Sequence, residues 1–328
     1  MKLFYADHFV LPLPAGHRFP MEKYARLRER LAASGHFAPG DFIVPEATDD
    51  ATLMLAHDAG YIHRVSTGQL SADEQRRIGF PWSEQMVERS RRSAGATLAA
   101  CHSALQDGVA ANLAGGTHHA HHDFGTGFCV FNDAAVATRA LLHDGLARRI
   151  AIVDCDVHQG DGTAAILAGD TRCFTLSLHG ERNFPFRKAV SDLDIALPDA
   201  CGDADYLAAL AIGLEQAIHR FQPDFVLYLA GADPYRDDRL GRLALSVDAL
   251  RERDETVLGA CRDRGLPVAL AMAGGYARTI DDTVSIHFNT VTTAARLYRR
   301  GWPLRAARLQ TAPPQAAPLP ATPLPAGG

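Results

Sequence analysis

The chain has 328 residues, of which 47% are hydrophobic and 22% are charged, a composition typical of a globular enzyme. Its formal charge of −5 argues against nucleic acid as a direct partner, because phosphate binding needs a basic surface. Six cysteines without a Cys-x-x-Cys pair argue against a thiolate zinc site and favour a reducing compartment over a disulfide framework. No apolar stretch approaches the roughly 20 residues of a membrane span. We therefore expect a cytoplasmic protein without a membrane segment.

Short apolar segments alternate with longer amphipathic ones along the chain, which predicts an α/β fold of three layers, α/β/α, around a mostly parallel sheet. The predicted strands are Leu3–Tyr5, Ala110–Leu113, Ile150–Asp154, Cys173–Leu178, Phe225–Ala230 and Val268–Met272. Capping and stop signals predict helices from Ser83 to Asp107, from Asn132 or Asp133 to Asp144, and over Asp203–Arg220, Val247–Arg264 and Ile280–Arg299. From residue 303 the sequence is rich in alanine and proline. We expect one domain over residues 1–302 and a flexible tail over 303–328.

A polar cluster follows the predicted strand Ile150–Asp154, at the edge of a parallel sheet where ligand sites form. An extended backbone sends every second side chain to one face, so Asp154, Asp156 and His158 converge. Two carboxylates and an imidazole on one face indicate a divalent metal site. The alternative, that these groups only cap a helix beginning near Gly160, needs one such residue rather than three.

A second cluster, Gly-Gly-Thr-His-His-Ala-His-His-Asp, occupies residues 115–123 after another predicted strand. A histidine in this loop could serve as a general base or as a metal ligand. Asp154 and Asp161 could each orient one imidazole through its Nδ1–H. We interpret the second histidine pair of the loop, at positions 121 and 122, as structural or surface residues.

Two further elements follow the last two predicted strands. Asp233 would complete an Asp-His-Asp ligand set with open positions, although Gly-Ala-Asp-Pro alone also suits a turn. Tyr276 follows a pair of glycines, which would bring its hydroxyl over the site as a donor to an oxyanion.

In order and content these elements resemble the zinc-dependent histone deacetylases and their bacterial relatives, from about Phe4 to Leu297. The Val-Asp-x-Asp-x-His-Gln motif is most similar to that of the class IV branch and its bacterial counterparts. The motifs that carry the resemblance are Gly116-Thr117-His118-His119-Ala120, Gly127-Phe128-Cys129, Val153 to Gly162, Gly231-Ala232-Asp233 and Gly274-Gly275-Tyr276. The resemblance implies an arginase/deacetylase-like fold and a deacetylase-like catalytic domain over residues 1–302.

The resemblance also implies a role for each site residue. Asp156, His158 and Asp233 would hold one zinc ion, although the same ligands suit ferrous iron. His119 would act as general base and then acid, and Tyr276 would stabilise the oxyanion. His118 would support His119 electrostatically, with Asp154 and Asp161 as the acceptors behind the pair.

Binding residues follow from the same comparison. Phe128 and Phe184 would form the aromatic walls of a tunnel beside Gly127. Leu240 stands where polyamine-selective relatives carry an acidic gatekeeper. Lys23 is a candidate for the floor of the acetate pocket. A potassium ion would bind through protein atoms of Asp154, Asp156, His158, Ser177 and Leu178.

The expected reaction is hydrolysis of the acyl group, most simply acetyl, from a lysine side chain of a peptide or protein. The alternatives are a small acetylated amine such as an acetylpolyamine, a long-chain acyl-lysine, and arginase-like dimanganese chemistry. The last needs a second Asp-x-Asp pair, which the Asp233 segment lacks. A non-catalytic binding protein would have no use for both a base and an oxyanion donor. The oligomeric state is left open.

Overall fold

The computed structural model describes residues 1–14 and 16–298. Its central sheet contains eight strands, and every pairing between them is parallel. The strands are β1 (Leu3–Phe4), β2 (Phe42–Ile43), β3 (Val109–Asn112), β4 (Ile150–Asp154), β5 (Cys173–Gly180), β6 (Leu193–Leu197), β7 (Phe225–Leu229) and β8 (Val268–Ala271). Their order across the sheet is β2-β1-β3-β8-β7-β4-β5-β6.

Helices cover both faces of this sheet. They are α1 (Glu22–Ala33), α2 (Asp50–Leu53), α3 (Ala59–Thr67), α4 (Ala72–Ile78), α5 (Glu84–Asp107), α6 (Asp133–His143), α7 (Asp161–Leu167), α8 (Asp203–Leu214), α9 (Val247–Asp263) and α10 (Ile280–Tyr298). Side chains alternate between two hydrophobic clusters because successive residues of a strand point to opposite faces. In β4, Val153 belongs to the cluster that includes residues of α1, α8, α9 and α10, while Ile150 and Ile152 belong to the cluster that includes residues of α3, α5 and α6. The predicted three-layer α/β/α fold is confirmed.

All six predicted strands occur, but the sequence did not reveal the two strands at the edges of the sheet. β2 has only two residues, and β6 has the mixed sequence Leu-Asp-Ile-Ala-Leu, half-exposed along most of its length. Edge strands lack the continuous apolar pattern of strands that are covered on both faces. The predicted helix Asp203–Arg220 is divided, because α8 ends at Leu214 and a π-helix follows over Glu215–Arg220.

The strand order explains how distant sequence segments meet. β3, β8, β7 and β4 are consecutive neighbours in the middle of the sheet. The segments after them carry, in that order, the histidine loop, Tyr276, Asp233 and the Asp156–His158 segment. The ends of four adjacent parallel strands therefore bring together the residues singled out in the sequence.

Two expectations fall at the limits of the described chain. The predicted tail over residues 303–328 and the last residue of the predicted helix Ile280–Arg299 lie outside the described residues. None of the helices within residues 1–14 and 16–298 is long and apolar enough to cross a membrane.

Candidate metal and catalytic site

Asp156, His158 and Asp233 lie together at the carboxyl ends of β4 and β7. One side-chain ligand atom from each lies within 4.8 Å of the other two. His158 Nδ1 is 2.9 Å from Asp156 Oδ1 and 3.4 Å from Asp233 Oδ2. The structure thus brings together the three residues that the sequence predicted as metal ligands.

The chemistry of this ligand set fits a divalent cation. Asp233 Oδ2 is buried and accepts no hydrogen bond from any described residue. Burial and the charge of Asp156 raise the pKa of Asp233 to about 7. Although burial opposes it, the hydrogen bond to Asp156 and the negative charges of both carboxylates raise the pKa of His158 to about 10. Two buried carboxylates that face one imidazole are the kind of oxygen and nitrogen donor set that zinc and ferrous iron accept.

Glycine at position 274 allows the backbone after β8 to lie close to both carboxylates. A Cβ atom there would lie 1.9 Å from Asp233 Oδ2 and 2.6 Å from Asp156 Oδ2. Instead, the Gly274 N–H donates to Asp156 Oδ2 at 2.7 Å. The backbone after β8 therefore closes one side of the ligand set, where a side chain would overlap it.

Each histidine of the His118-His119 pair is held by its own carboxylate. His118 Nδ1 lies 2.6 Å from Asp154 Oδ2, and His119 Nδ1 lies 2.6 Å from Asp161 Oδ1. A carboxylate at Nδ1 fixes the proton on that nitrogen, so Nε2 is the nitrogen left for chemistry in a neutral ring. His121 also reaches this network, since its Nε2 is 3.0 Å from Asp161 Oδ2. The sequence had given His121 only a structural or surface role.

The two imidazoles titrate in opposite directions. Burial lowers the pKa of His118, but the negative charges of Asp154 and Asp156 outweigh burial and raise this pKa to about 9. Burial and the neighbouring positive charge of His118 lower the pKa of His119 to about 4, against the opposing effect of Asp161. Neighbouring groups whose pKa values are driven apart are typical of acid–base sites.

Asp133, which sequence reasoning identified only as a possible helix start, anchors the loop that carries the histidines. Its carboxylate is fully buried and accepts the Gly116 N–H at 2.9 Å and the Thr117 N–H at 2.7 Å. Thr97 in α5 adds its hydroxyl at 2.6 Å. The residue before it, Asn132, caps α6 and donates from its side chain to the His118 carbonyl at 3.2 Å.

Tyr276 is positioned by a second buried acid, Asp238. The Tyr276 N–H donates to Asp238 Oδ2 at 2.6 Å, and Asp238 Oδ1 accepts the N–H groups of Leu240 and Gly241. The Asp238 carboxylate is therefore turned towards the backbone of these segments. Burial, and then the charges of Tyr24 and Asp233, raise the pKa of Tyr276 well above its usual range, so its hydroxyl keeps its proton.

A cavity of about 520 Å³ opens over these groups. All four predicted binding residues, Gly127, Phe128, Phe184 and Leu240, line it together with His118, His119, Asp156, His158 and Tyr276. The Phe184 ring is 4.9 Å from the His119 ring, edge to face. Gly127 adopts φ +57°, and a Cβ there would lie 2.6 Å from the His119 ring, so only glycine fits.

Lys23 is not among the residues that line the cavity. Its buried ammonium donates to the carbonyls of Ala273 and Gly275, each at 3.3 Å, and lies 5.2 Å from the centre of the Tyr276 ring. Lys23 therefore supports the loop that carries Tyr276 from behind and does not form the floor of the cavity.

The residues predicted around a monovalent cation lie close to the metal ligands. In the β4–β5 ladder, Asp154 is the direct partner of Ser177, and both are buried, as is Leu178. Ser177 Oγ is 3.0 Å from His179 Nδ1. The ion itself, which would also use Asp156 and His158, stays a prediction.

A buried arginine on α9 supports the two ligand-bearing segments and was missed by sequence reasoning. Arg253 is fully buried, donates to the Gly231 carbonyl at 2.6 Å and approaches the Cys155 carbonyl at 3.5 Å. Asp254 pairs with it at 2.8 Å. An Arg-Asp pair inside an amphipathic helix is usually solvent-exposed, so only the fold shows that this one is buried.

Comparisons with known proteins agree with this arrangement. A family model described as the histone deacetylase domain matches residues 17–291. An uncharacterised protein of Picosynechococcus sp. is 45% identical over 86% of this chain and 94% of its own length. Histone deacetylase 2 of Arabidopsis thaliana is 28% identical over 82% of this chain and 73% of its own length. The crystal structure of an HDAC homolog complexed with SAHA superimposes with a TM-score of 0.76 at 25% identity, covering 94% of this chain and 92% of that one.

Proposed function

The chain belongs to the histone deacetylase family and is a hydrolase of amide bonds, and we propose that it removes acyl groups, acetyl above all, from lysine side chains. The observation that carries the proposal is the Asp156-His158-Asp233 set at the base of a cavity lined by His119 and Tyr276. We propose one zinc ion per chain in this set, with ferrous iron as the alternative occupant. Zinc bound there would lower the pKa of a water and polarise the acyl carbonyl.

We assign the proton transfers to His119. Asp161 holds its Nδ1, which leaves Nε2 free to accept a proton from the attacking water and to return it to the departing amine. The low pKa of His119 keeps this nitrogen unprotonated at neutral pH. His118 and Asp154 form the second pair, and the positive charge on His118 would stabilise negative charge that develops nearby.

Tyr276 is the proposed oxyanion donor. No described residue accepts a hydrogen bond from its hydroxyl, and Tyr276 lines the cavity beside the ligand set. Removal of one oxyanion donor typically costs about 100- to 1,000-fold in kcat. Phe128 and Phe184 would enclose the methylene groups of the substrate, each of which gains about 0.8 kcal/mol on burial.

The test uses purified zinc-loaded protein and an Nε-acetyl-lysine peptide with blocked termini. Wild type should release acetate, whereas His119→Ala and Tyr276→Phe should lose turnover by at least about 100-fold while each retains one zinc ion per chain. His122→Asn serves as the matched control, because His122 is an exposed histidine of the same loop. Full turnover in either site variant would refute the assigned roles, and two metal ions per chain would favour the arginase-like alternative.

A longer acyl chain is a second candidate, favoured by further apolar residues in the lining of the cavity. The lining also includes Leu11, Phe80 and Phe131, which are buried apolar residues. A panel of acetyl, butyryl, octanoyl and myristoyl peptides tests this directly. If kcat/KM rises with the length of the acyl chain, the proposed activity is removal of long acyl chains and not of acetyl groups. An acetylpolyamine as substrate is less favoured, because uncharged Leu240 lines the entrance.

A further inference from the structure

Arginine side chains line the mouth of the catalytic cavity. Five exposed arginines contribute to its wall: Arg18, Arg76, Arg77, Arg182 and Arg242. Among the described residues, Asp156 supplies the one carboxylate that lines the cavity, and it lies buried in the ligand set. We propose that this arginine rim selects acyl-lysine substrates whose neighbouring residues carry carboxylates.

One side of the rim is fixed to the aromatic wall of the cavity. The Gly127 N–H donates to the Arg77 carbonyl at 3.2 Å, and the Phe128 N–H donates to the Ile78 carbonyl at 2.8 Å. The end of α4 is therefore attached to the turn that forms the tunnel. Arg18 precedes Phe19, whose ring lies 5.3 Å from the Phe128 ring.

The opposite side is fixed by a buried asparagine. Asn183 donates from its side chain to the Leu240 carbonyl at 2.8 Å and accepts the Arg242 N–H at 3.2 Å. This bridge joins the loop of Arg182 and Phe184 to the loop of Leu240 and Arg242. Arginines thus stand on both sides of an entrance whose backbone is held by hydrogen bonds.

Acidic partners neutralise only part of this charge. Arg76 pairs with Asp73, and Arg242 pairs with Asp199 at 2.8 Å, which Arg182 approaches at 3.9 Å. Arg18 and Arg77 form no ion pair with any other described residue, although the Arg77 guanidinium lies 5.0 Å from the Phe124 ring centre. The rim is therefore positive although the whole chain has a formal charge of −5. Its sign is a local property of the entrance.

The proposal rests on the proposed lysine deacylation, because a peptide whose acyl-lysine enters the tunnel must lay its flanking residues on the rim. Guanidinium groups bind carboxylates through paired hydrogen bonds. Charges at the edge of an interface act mainly on association rate and on the choice of partner. Peptides with lysine or arginine neighbours, and acetylated polyamines, would meet like charge at the same place.

The experiment compares three blocked peptides that share a central Nε-acetyl-lysine and differ only in four flanking residues, which are all Ala, all Glu or all Lys. Binding to zinc-loaded protein is measured by fluorescence anisotropy, and kcat/KM is measured in parallel. At about 50 mM salt we expect the Glu peptide to be favoured over the Lys peptide by about tenfold or more, and the ratio to shrink towards one near 1 M salt. The double variant Arg18→Gln/Arg77→Gln should reduce this ratio at least about threefold.

Arg148→Gln is the matched control, because the Arg148 side chain is 79% exposed and lies before the amino end of β4, whereas the cavity lies at the carboxyl ends of the strands. It should leave the ratio unchanged. A Glu-to-Lys ratio below about twofold in wild type, or an equal loss in Arg148→Gln, would overturn the rim proposal. A clear binding preference without turnover of any peptide would overturn the deacylase proposal and leave the rim standing. If single-stranded DNA of equal charge displaces the Glu peptide as well as free Glu peptide does, the assignment to peptides is wrong.

Discussion

Replacement of Asp133 by asparagine should cost both stability and turnover, because this buried carboxylate holds the histidine loop. One of its oxygens accepts the Gly116 N–H and the Thr97 hydroxyl, and the other accepts the Thr117 N–H. Asparagine offers one acceptor oxygen and one NH₂ group. In either orientation of the amide, one backbone N–H group will face the NH₂ group of the asparagine. A backbone N–H cannot rotate away from another donor, whereas a hydroxyl can.

The magnitude follows from that count. A hydrogen bond to a charged group contributes about 1.5–3 kcal/mol, and an orphaned buried N–H costs about 1–3 kcal/mol. With partial relaxation we expect Asp133→Asn to lower the free energy of unfolding by about 3 kcal/mol. Thr117 directly precedes His118, and a shift of about 1 Å in a catalytic group can cost about 100-fold in rate. The metal content should stay at one per chain, because the proposed ligands follow β4 and β7 and do not belong to the histidine loop.

Urea unfolding at pH 7, followed by circular dichroism, measures the first effect, and kcat/KM with metal analysis measures the second. Asp144→Asn is the control, since Asp144 is an exposed acid that follows the same helix α6. It should change the free energy of unfolding by less than about 0.5 kcal/mol. A loss below about 1 kcal/mol in Asp133→Asn, or unchanged kcat/KM despite a larger loss, would refute the anchoring role.

Other predictions concern Tyr276, the metal and a distant histidine. Asp238→Asn should lower kcat at least about tenfold with metal content unchanged, since it misplaces Tyr276, and wild-type kcat would exclude this role. Removal of the metal by a chelator should lower the melting temperature, and added zinc should restore it. A free zinc concentration of 1,000 times Kd stabilises the folded state by about 4 kcal/mol, so equal melting curves would contradict a bound ion. Burial lowers the pKa of His57 to about 4 from 6.5, and its Nε2 accepts the Asn132 N–H at 2.9 Å, so it folds neutral. The contribution of neutral His57 to the free energy of unfolding should be fully present above pH 6.5. Between pH 6.5 and pH 4 the wild type should lose up to about 3 kcal/mol more than His57→Gln, and parallel pH curves for the two proteins would contradict this role.

The sequence predicted those parts of the site whose pattern is local. Asp154, Asp156 and His158 are spaced two residues apart, so strand geometry predicts that they share a face, although β4 itself ends at Asp154 in the structure. Asp233 and Tyr276 follow other strands, and their place beside this face depends on the order of strands in the sheet. No local pattern encodes that order, and the family resemblance supplied it.

The supporting residues were missed for a different reason. Asp238, Asn183 and Arg253 act on backbone groups of segments far away or around a turn, and nothing in their sequence surroundings marks them. The local sequence around a polar residue in a loop or helix does not show whether that residue is solvent-exposed or buried. Only the packed structure shows that these side chains are enclosed, and that their hydrogen bonds hold the segments of the proposed site.

Two of the acids around the histidine loop share a position in the fold. Asp133 is the first residue of α6 and Asp161 is the first residue of α7, and both carboxylates reach back to the loop at residues 116–121. The amino end of a helix favours a negative charge, because its free N–H groups and dipole are positive there. The hydrogen-bond donors of the buried Asp133 carboxylate include N–H groups and a hydroxyl, with no arginine or lysine among them. The loop is thus held by two acids at helix amino ends, and within the described residues neither accepts a hydrogen bond from an arginine or a lysine.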